Sequence, residues 1–105
     1  MLIQINTDAN IQHSDAPMQR MEDTVRNALD RFSEQVTRVE IHLSDESSDK
    51  KSGPADMRCL LAARFEGLQP VAVTDAAADM EKAVDGAARK MKRSLESTLG
   101  KLQKH

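Results

Sequence analysis

Apolar and polar residues alternate in several short segments of the chain, which is the pattern of strands with one buried face. The alternation appears in LIQIN near the N-terminus, in TRVEIHLSD, and over a longer stretch in DMRCLLAARFEG. A fourth, short strand begins with VAV after the tight connection GLQP. We therefore expect four strands, of which the third and fourth form a hairpin.

Two further segments place apolar residues three and four positions apart, which is the spacing of an amphipathic helix. In the first, Met21, Val25 and Leu29 share one face, and the pattern predicts a helix from about Ala16 to Phe32. The second helix is predicted from about Ala76 to Leu102. The expected N-caps are Ser14 or Asp15 for the first helix and Thr74 or Asp75 for the second.

The order of these elements predicts an α+β fold of the βαβββα type. Because each strand and each helix has one apolar face, the economical packing is a two-layer sandwich, a four-stranded sheet with both helices on one face. A right-handed crossover makes the first two strands parallel. We expect cross-strand salt bridges on the opposite sheet face, for example with Glu40 or Glu66. The residues predicted to face outward there are Gln4, Arg38, Glu40, His42, Arg58 and Arg64.

The length of 105 residues suits a single domain, residues 1–105. The polar segment DESSDKKSGPAD predicts a mobile loop at about 45–55, and we expect the tail at about 103–105 to fray. Apolar residues make up 39% and charged residues 30% of the chain, as in soluble globular proteins. No apolar run approaches the roughly 20 residues of a membrane span, the N-terminus lacks a signal-peptide pattern, and there is one cysteine. We therefore expect a cytoplasmic protein without a membrane partner.

Positive charge is concentrated near the C-terminus of a chain whose net charge is −2. Residues 76–105 hold 7 Lys and Arg against 4 Asp and Glu, whereas residues 1–75 hold 8 against 13. This asymmetry favours an anionic partner for the C-terminal segment. We do not expect base stacking on aromatic rings to be the main way of binding nucleic acid, because the chain has two Phe and no Tyr or Trp.

The cations of the second helix lie opposite its apolar face. At about 100° per residue, Lys82, Arg89, Arg93 and Lys104 fall in a stripe about 60° wide. Gly86 lies beneath this stripe, where we expect it to leave the backbone exposed. Such a stripe can neutralise successive phosphates of an RNA. The alternative interpretation is that this exposed helix face carries charge only for solubility and binds no partner.

No combination of residues indicates catalysis. Cys59 alternates with core residues, so we expect a buried apolar side chain rather than a nucleophile. His13, His42 and His105 lack the spacing of metal ligands, and the scattered glycines form no phosphate-binding loop. We expect a binding protein rather than an enzyme, with no cofactor, metal or small-molecule substrate.

Four segments, in this order, carry a family resemblance: LIQINTDANIQHSDAP, RFSEQVTRVEIHLSDE, FEGLQPVAV and ADMEKAVDGAARKMKRSL. The last is the most specific, with a central AVDGAARK followed by a basic cluster. Through them the chain resembles the ribosome hibernation-promoting factors and ribosome-associated inhibitors, also called the sigma-54 modulation protein family. The resemblance implies the βαβββα fold and binding to small-subunit ribosomal RNA near the decoding region. There the protein occupies the path of messenger and transfer RNA and silences idle ribosomes.

The resemblance also implies which residues contact RNA. On the last helix these are Lys82, Arg89, Lys90, Lys92 and Arg93. On the first helix they are Arg20, Arg26 and Arg31. The oligomeric state stays open.

Two other functions remain open from the sequence. The acidic first helix or the exposed sheet edge can serve as a protein–protein interaction module that does not bind RNA. A double-stranded RNA binder would have a similar architecture of sheet and helices, but the chain lacks the loop lysines expected of one.

Overall fold

The structure is a computed structural model that describes residues 1–7, 15–45 and 57–103. Most of the predicted loop, the end of the predicted tail and the predicted cap Ser14 lie outside the described residues. The elements are β1 (Leu2–Thr7), α1 (Asp15–Ala28), a 3₁₀ helix (Asp30–Phe32), β2 (Val36–Asp45), β3 (Met57–Phe65), β4 (Val71–Ala77) and α2 (Met80–Gln103). The βαβββα order is therefore the one that the periodicity predicts.

The four strands form one mixed sheet in the order β1-β2-β3-β4. β1 runs parallel to β2, with Ile3 opposite Val39, as expected for a right-handed crossover. The other neighbours are antiparallel, and Leu61 of β3 lies opposite both Ile41 of β2 and Val73 of β4. The α+β fold and the β3–β4 hairpin are confirmed.

The core lies between the sheet and the two helices. Inward strand residues such as Val39, Ile41 and Leu61 meet the apolar faces of both helices, and all are fully buried. The buried helix residues are Met21, Val25 and Leu29 from α1, and Ala83, Val84, Ala87, Ala88, Met91 and Leu95 from α2. Cys59 belongs to this core, as predicted. Burial, with a smaller contribution from the charge of Asp75, raises the pKa of its thiol to about 12.

The helix boundaries differ from the predicted ones. α1 ends at Ala28, and the chain continues as a separate 3₁₀ turn that keeps Phe32 in the core. The predicted start of the second helix was wrong, because β4 continues through Ala77 and α2 begins at Met80. The N-cap is Asp79, whose Oδ1 accepts a hydrogen bond from the backbone N–H of Lys82 at 2.8 Å. The predicted caps Thr74 and Asp75 are strand residues.

Asp75 connects the edge strand β4 to α2. Its carboxylate lies against Gly86, where the Cβ of any other residue would collide with it. Lys90 reaches the same place, with Nζ 3.2 Å from Oδ1 of Asp75 and 2.9 Å from the backbone oxygen of Thr74, to which it donates a hydrogen bond. The predicted exposed backbone at Gly86 was therefore wrong, because a carboxylate from the sheet packs against this glycine.

The contact between Gly86 and Asp75 predicts that alanine does not stabilise the helix at this position as it usually does. In a helix interior, alanine is more favourable than glycine by about 1 kcal/mol. We expect Gly86→Ala to show no such gain, because the new methyl group displaces the Asp75 carboxylate from Lys90 and the loss of that pair offsets the helix preference. Urea unfolding followed by circular dichroism measures this change.

The control is the same substitution in an Asp75→Ala background, where the collision is removed. There we expect Gly86→Ala to raise the free energy of unfolding by about 1 kcal/mol. Equal effects of Gly86→Ala in the two backgrounds would show that the contact does not constrain this position.

Candidate nucleic-acid interface

The α2 cations, defined as Lys82, Arg89, Lys90, Lys92 and Arg93, are all exposed. Two of them have partners. Arg89 lies 3.1 Å from Asp85 one helical turn earlier, and Lys90 is held by Asp75 and the Thr74 carbonyl. The side chains of Lys82, Lys92 and Arg93 form no hydrogen bond or ion pair within the described part of the chain.

The three cations without a partner among the described residues span a substantial length of the helix. Lys82 and Arg93 project within about 20° of each other, and they are separated by about 16 Å along the axis. Arg93 also borders a surface groove whose other lining residues are Lys90 and three hydroxyl residues, Ser94, Ser97 and Thr98. Guanidinium and hydroxyl groups are both donors to phosphate oxygens. The outward side of α2 is thus chemically suited to a phosphate backbone.

The arginines of α1 and of the 3₁₀ turn after it are paired with glutamates. Arg20 donates two hydrogen bonds to Glu81 at the start of α2, with Nε–Oε1 at 2.9 Å and Nη2–Oε2 at 3.0 Å. Arg31 lies 3.1 Å from Glu96 near the other end of α2, and its guanidinium lies 5.3 Å from the centroid of the Phe32 ring. These two pairs connect α2 to α1 and to the 3₁₀ turn that follows it, beside the buried faces that pack the helices together.

Arg26 is paired within its own helix. Its Nη2 lies 3.0 Å from Oε2 of Glu22, four residues earlier. All three predicted arginines therefore have carboxylate partners, whereas three of the five α2 cations have none in the part of the chain that the structure describes. The three arginines keep exposed side chains, with relative exposures of 57% for Arg20, 46% for Arg26 and 65% for Arg31, so none is sealed from a ligand.

The hydrogen bonds between Arg20 and Glu81 shift the pKa of both groups. They lower the pKa of Glu81 below its usual 4.5, and they raise the pKa of Arg20. A carboxyl group with a lowered pKa stabilises the fold at pH values above its unfolded pKa. This contribution is lost as the pH falls through the lower pKa of the folded state. The bridge between the helices therefore holds at neutral pH and weakens in acid.

The open sheet face, opposite the helices, is organised around Glu40. The Glu40 carboxylate lies 3.2 Å from Arg38, 3.7 Å from Arg64 and 3.1 Å from Nε2 of His42. The hydrogen bond with His42, followed by the charges of the two arginines, lowers the pKa of Glu40. Arg38 also donates to the side-chain oxygen of Gln4. The predicted cross-strand salt bridging at Glu40 is confirmed.

The described residues offer no other chemical centre. Among them, no three His, Cys, Asp or Glu side chains are grouped so that they can hold a metal ion. Neither helix, over its described length, combines the length and the apolar character needed to cross a bilayer.

The fold and sequence were compared with known proteins. The family model described as sigma 54 modulation protein / S30EA ribosomal protein matches residues 3–103. The N-terminal domain of Protein Y from Thermus thermophilus superimposes with a TM-score of 0.72 at 20% identity, covering 93% of this chain and 99% of that one. A ribosomal subunit interface protein from Coxiella burnetii gives 0.76 at 15% identity, covering 95% and 99%. No curated protein sequence matches significantly.

The bridge between Arg20 and Glu81 predicts a specific titration. We expect Arg20→Gln to return the pKa of Glu81 toward its usual 4.5, because the hydrogen bonds that lower it are lost. Titration of the glutamate side-chain carbons by NMR measures the change. Arg26→Gln is the matched control, since Arg26 pairs with Glu22 and should leave Glu81 unaffected. A Glu81 pKa that is the same in wild type and in Arg20→Gln would contradict the assignment.

Proposed function

Because the chain belongs to the sigma 54 modulation protein / S30EA ribosomal protein family, we propose that it is a ribosome-associated hibernation factor. It binds ribosomal RNA of the small subunit near the decoding region and blocks the path of messenger and transfer RNA. It is a binding protein and not an enzyme, so its effect comes from occupying space. We further propose that residues 1–105 act as a single ribosome-binding domain in the cytoplasm.

The observation that carries the RNA-binding proposal is the set of exposed cations on α2 that have no partner within the described residues. Lys82, Lys92 and Arg93 have no ion pair, within residues 1–7, 15–45 and 57–103, that would have to break before they meet a phosphate. Neutralising RNA phosphates releases condensed counterions, which supplies affinity that falls steeply as the salt concentration rises. Because α2 is fixed to the sheet by its buried face, these cations are presented without a large ordering cost.

Arg89 and Lys90 are less available to bind a phosphate, because each already has a partner. The pair between Arg89 and Asp85 is exposed, and such pairs hold little free energy, so a phosphate can replace Asp85 at low cost. Lys90 would have to leave both Asp75 and the Thr74 carbonyl. We propose that Arg89 contacts RNA directly, and that Lys90 does so only at the expense of its contact with β4.

Arg20, Arg26 and Arg31 are proposed as secondary contacts. Their guanidinium groups are exposed and have donors left over after pairing with glutamate. Two of them, Arg20 and Arg31, also pair with glutamates of α2, so replacing them removes these pairs as well as positive charge. Their contribution to affinity is therefore expected to be smaller than that of the α2 cations.

Neutralising Lys92 and Arg93 tests the proposal. We expect the double variant Lys92→Gln/Arg93→Gln to co-sediment poorly with purified small ribosomal subunits at moderate salt. Its plot of log affinity against log salt concentration should be less steep by about 1.5, because two phosphate contacts are lost. Co-sedimentation over a series of salt concentrations measures both quantities.

The matched control removes the same charge from the region of α1. Arg26→Gln/Arg31→Gln changes the net charge equally but leaves the α2 cations in place, so we expect a smaller loss of affinity and a smaller change in the salt dependence. If Lys92→Gln/Arg93→Gln pelleted with the subunits like the wild type, α2 would be excluded as the interface. If the control lost as much affinity, the α2 cations would not be the main contacts.

A further inference from the structure

The sheet has a free edge at β4, which is the outer strand in the order β1-β2-β3-β4. Among residues 1–7, 15–45 and 57–103, β3 is the only strand that pairs with β4. Such an edge is a template for pairing with another strand, and natural proteins blunt it with charged side chains, proline or a covering element. The β4 sequence VAVTDAA favours strand pairing, because it contains three β-branched residues and a single charged one, Asp75.

Lys90 reaches this edge from α2. Its Nζ donates a hydrogen bond to the backbone oxygen of Thr74 at 2.9 Å and lies 3.2 Å from Oδ1 of Asp75. Gly86, one helical turn before Lys90, leaves the space in which the Asp75 carboxylate lies against the helix. A side chain of the helix layer is therefore bonded to the backbone of the outermost strand.

The place of this hydrogen bond decides what a second strand could do. In an edge strand, the backbone N–H and C=O groups of alternate residues point away from the sheet. Two antiparallel copies of such a strand that meet at one outward residue exchange two hydrogen bonds, each N–H donating to the C=O of the other copy. At Thr74 the oxygen needed for one of these bonds already accepts from Lys90.

We propose that Thr74 directs its backbone groups to the free edge, and that Lys90 is an autoinhibitory contact that keeps β4 from pairing antiparallel with β4 of a second copy. A strand that pairs with itself across a twofold axis presents the same residues on both sides. Thr74 then meets Thr74, which is a favourable cross-strand pair. Each Asp75 lies opposite Val73 of the other copy, so the two carboxylates do not face each other directly. This role does not depend on the proposed RNA binding.

Sedimentation equilibrium of the purified full chain tests this role. Lys90→Met keeps a long side chain but removes the donor, and we expect it to form dimers with a dissociation constant at least about tenfold lower than that of the wild type. Lys92→Met is the matched control, because it makes the same change in α2 at a residue that pairs with none of the described residues. It should associate no more than the wild type. Lys90→Arg keeps a donor and should also stay monomeric.

A cysteine at the expected twofold axis tests the register. In a hydrogen-bonded antiparallel pair the two Cα atoms are about 5.5 Å apart, which a disulfide can span. Under oxidising conditions Lys90→Met/Thr74→Cys should therefore form a cross-linked dimer. Lys90→Met/Leu68→Cys, with its cysteine at an exposed position of the β3–β4 connection, should not.

Three results would overturn the proposal. The first is a Lys90→Met variant that is as monomeric as the wild type. The second is a Lys92→Met control that dimerises as strongly as Lys90→Met, since exposed methionine alone would then explain the association. The third is cross-linking through Leu68→Cys that is as efficient as cross-linking through Thr74→Cys, because the contact would then lie outside the β4 edge.

Discussion

Packing of the apolar face of α2 against the sheet is the constraint on which the rest of the structure depends. Val84, Met91 and Leu95 are fully buried, and each such side chain contributes about 1.5–3 kcal/mol through its removal from water. An exposed ion pair on this surface contributes less to stability than such a buried side chain. The rotation of α2 about its axis is thus set by its buried face, and the outward direction of the cations follows from it.

The acidic residues of α2 then decide which cations are available. Glu81 and Glu96 accept the arginines that come from the region of α1, and Asp85 accepts Arg89. These carboxylates connect the helices at two points and reduce the positive potential beside α1. Lys92 and Arg93, which pair with none of the described residues, lie together in the C-terminal half of α2. A slightly acidic chain thereby keeps a local positive surface without a high net charge.

Local sequence patterns predicted the elements of the fold. They did not predict the contacts between residues that lie far apart in the sequence. Apolar and polar residues alternate along β2 and β3 because each strand has one buried face. Met91 and Leu95 are spaced as on one buried face of a helix. Such patterns therefore identify the sheet layer and the helix layer directly. The start of α2 was misplaced because Thr74 and Asp75 are good N-caps, as is Asp79, and only the pairing of β4 with β3 decides among them. The pairs of Arg20 with Glu81 and of Arg31 with Glu96 join residues more than sixty positions apart. No local signal marks such pairs, so sequence reasoning could name the cations but could not tell which of them were engaged.

Because Cys59 is buried, the reactivity of its thiol reports on transient opening of the folded core. Its thiol is fully covered by the core and has a pKa of about 12, so at neutral pH it is both inaccessible and almost entirely protonated. Reaction with a thiol reagent requires β3 to be uncovered first, which links the labelling rate to the equilibrium for exposing the interior. Since it is the only cysteine, any modification reports on that one event. A bound partner that holds the layers together would slow the reaction even when it touches nothing near the sulfur.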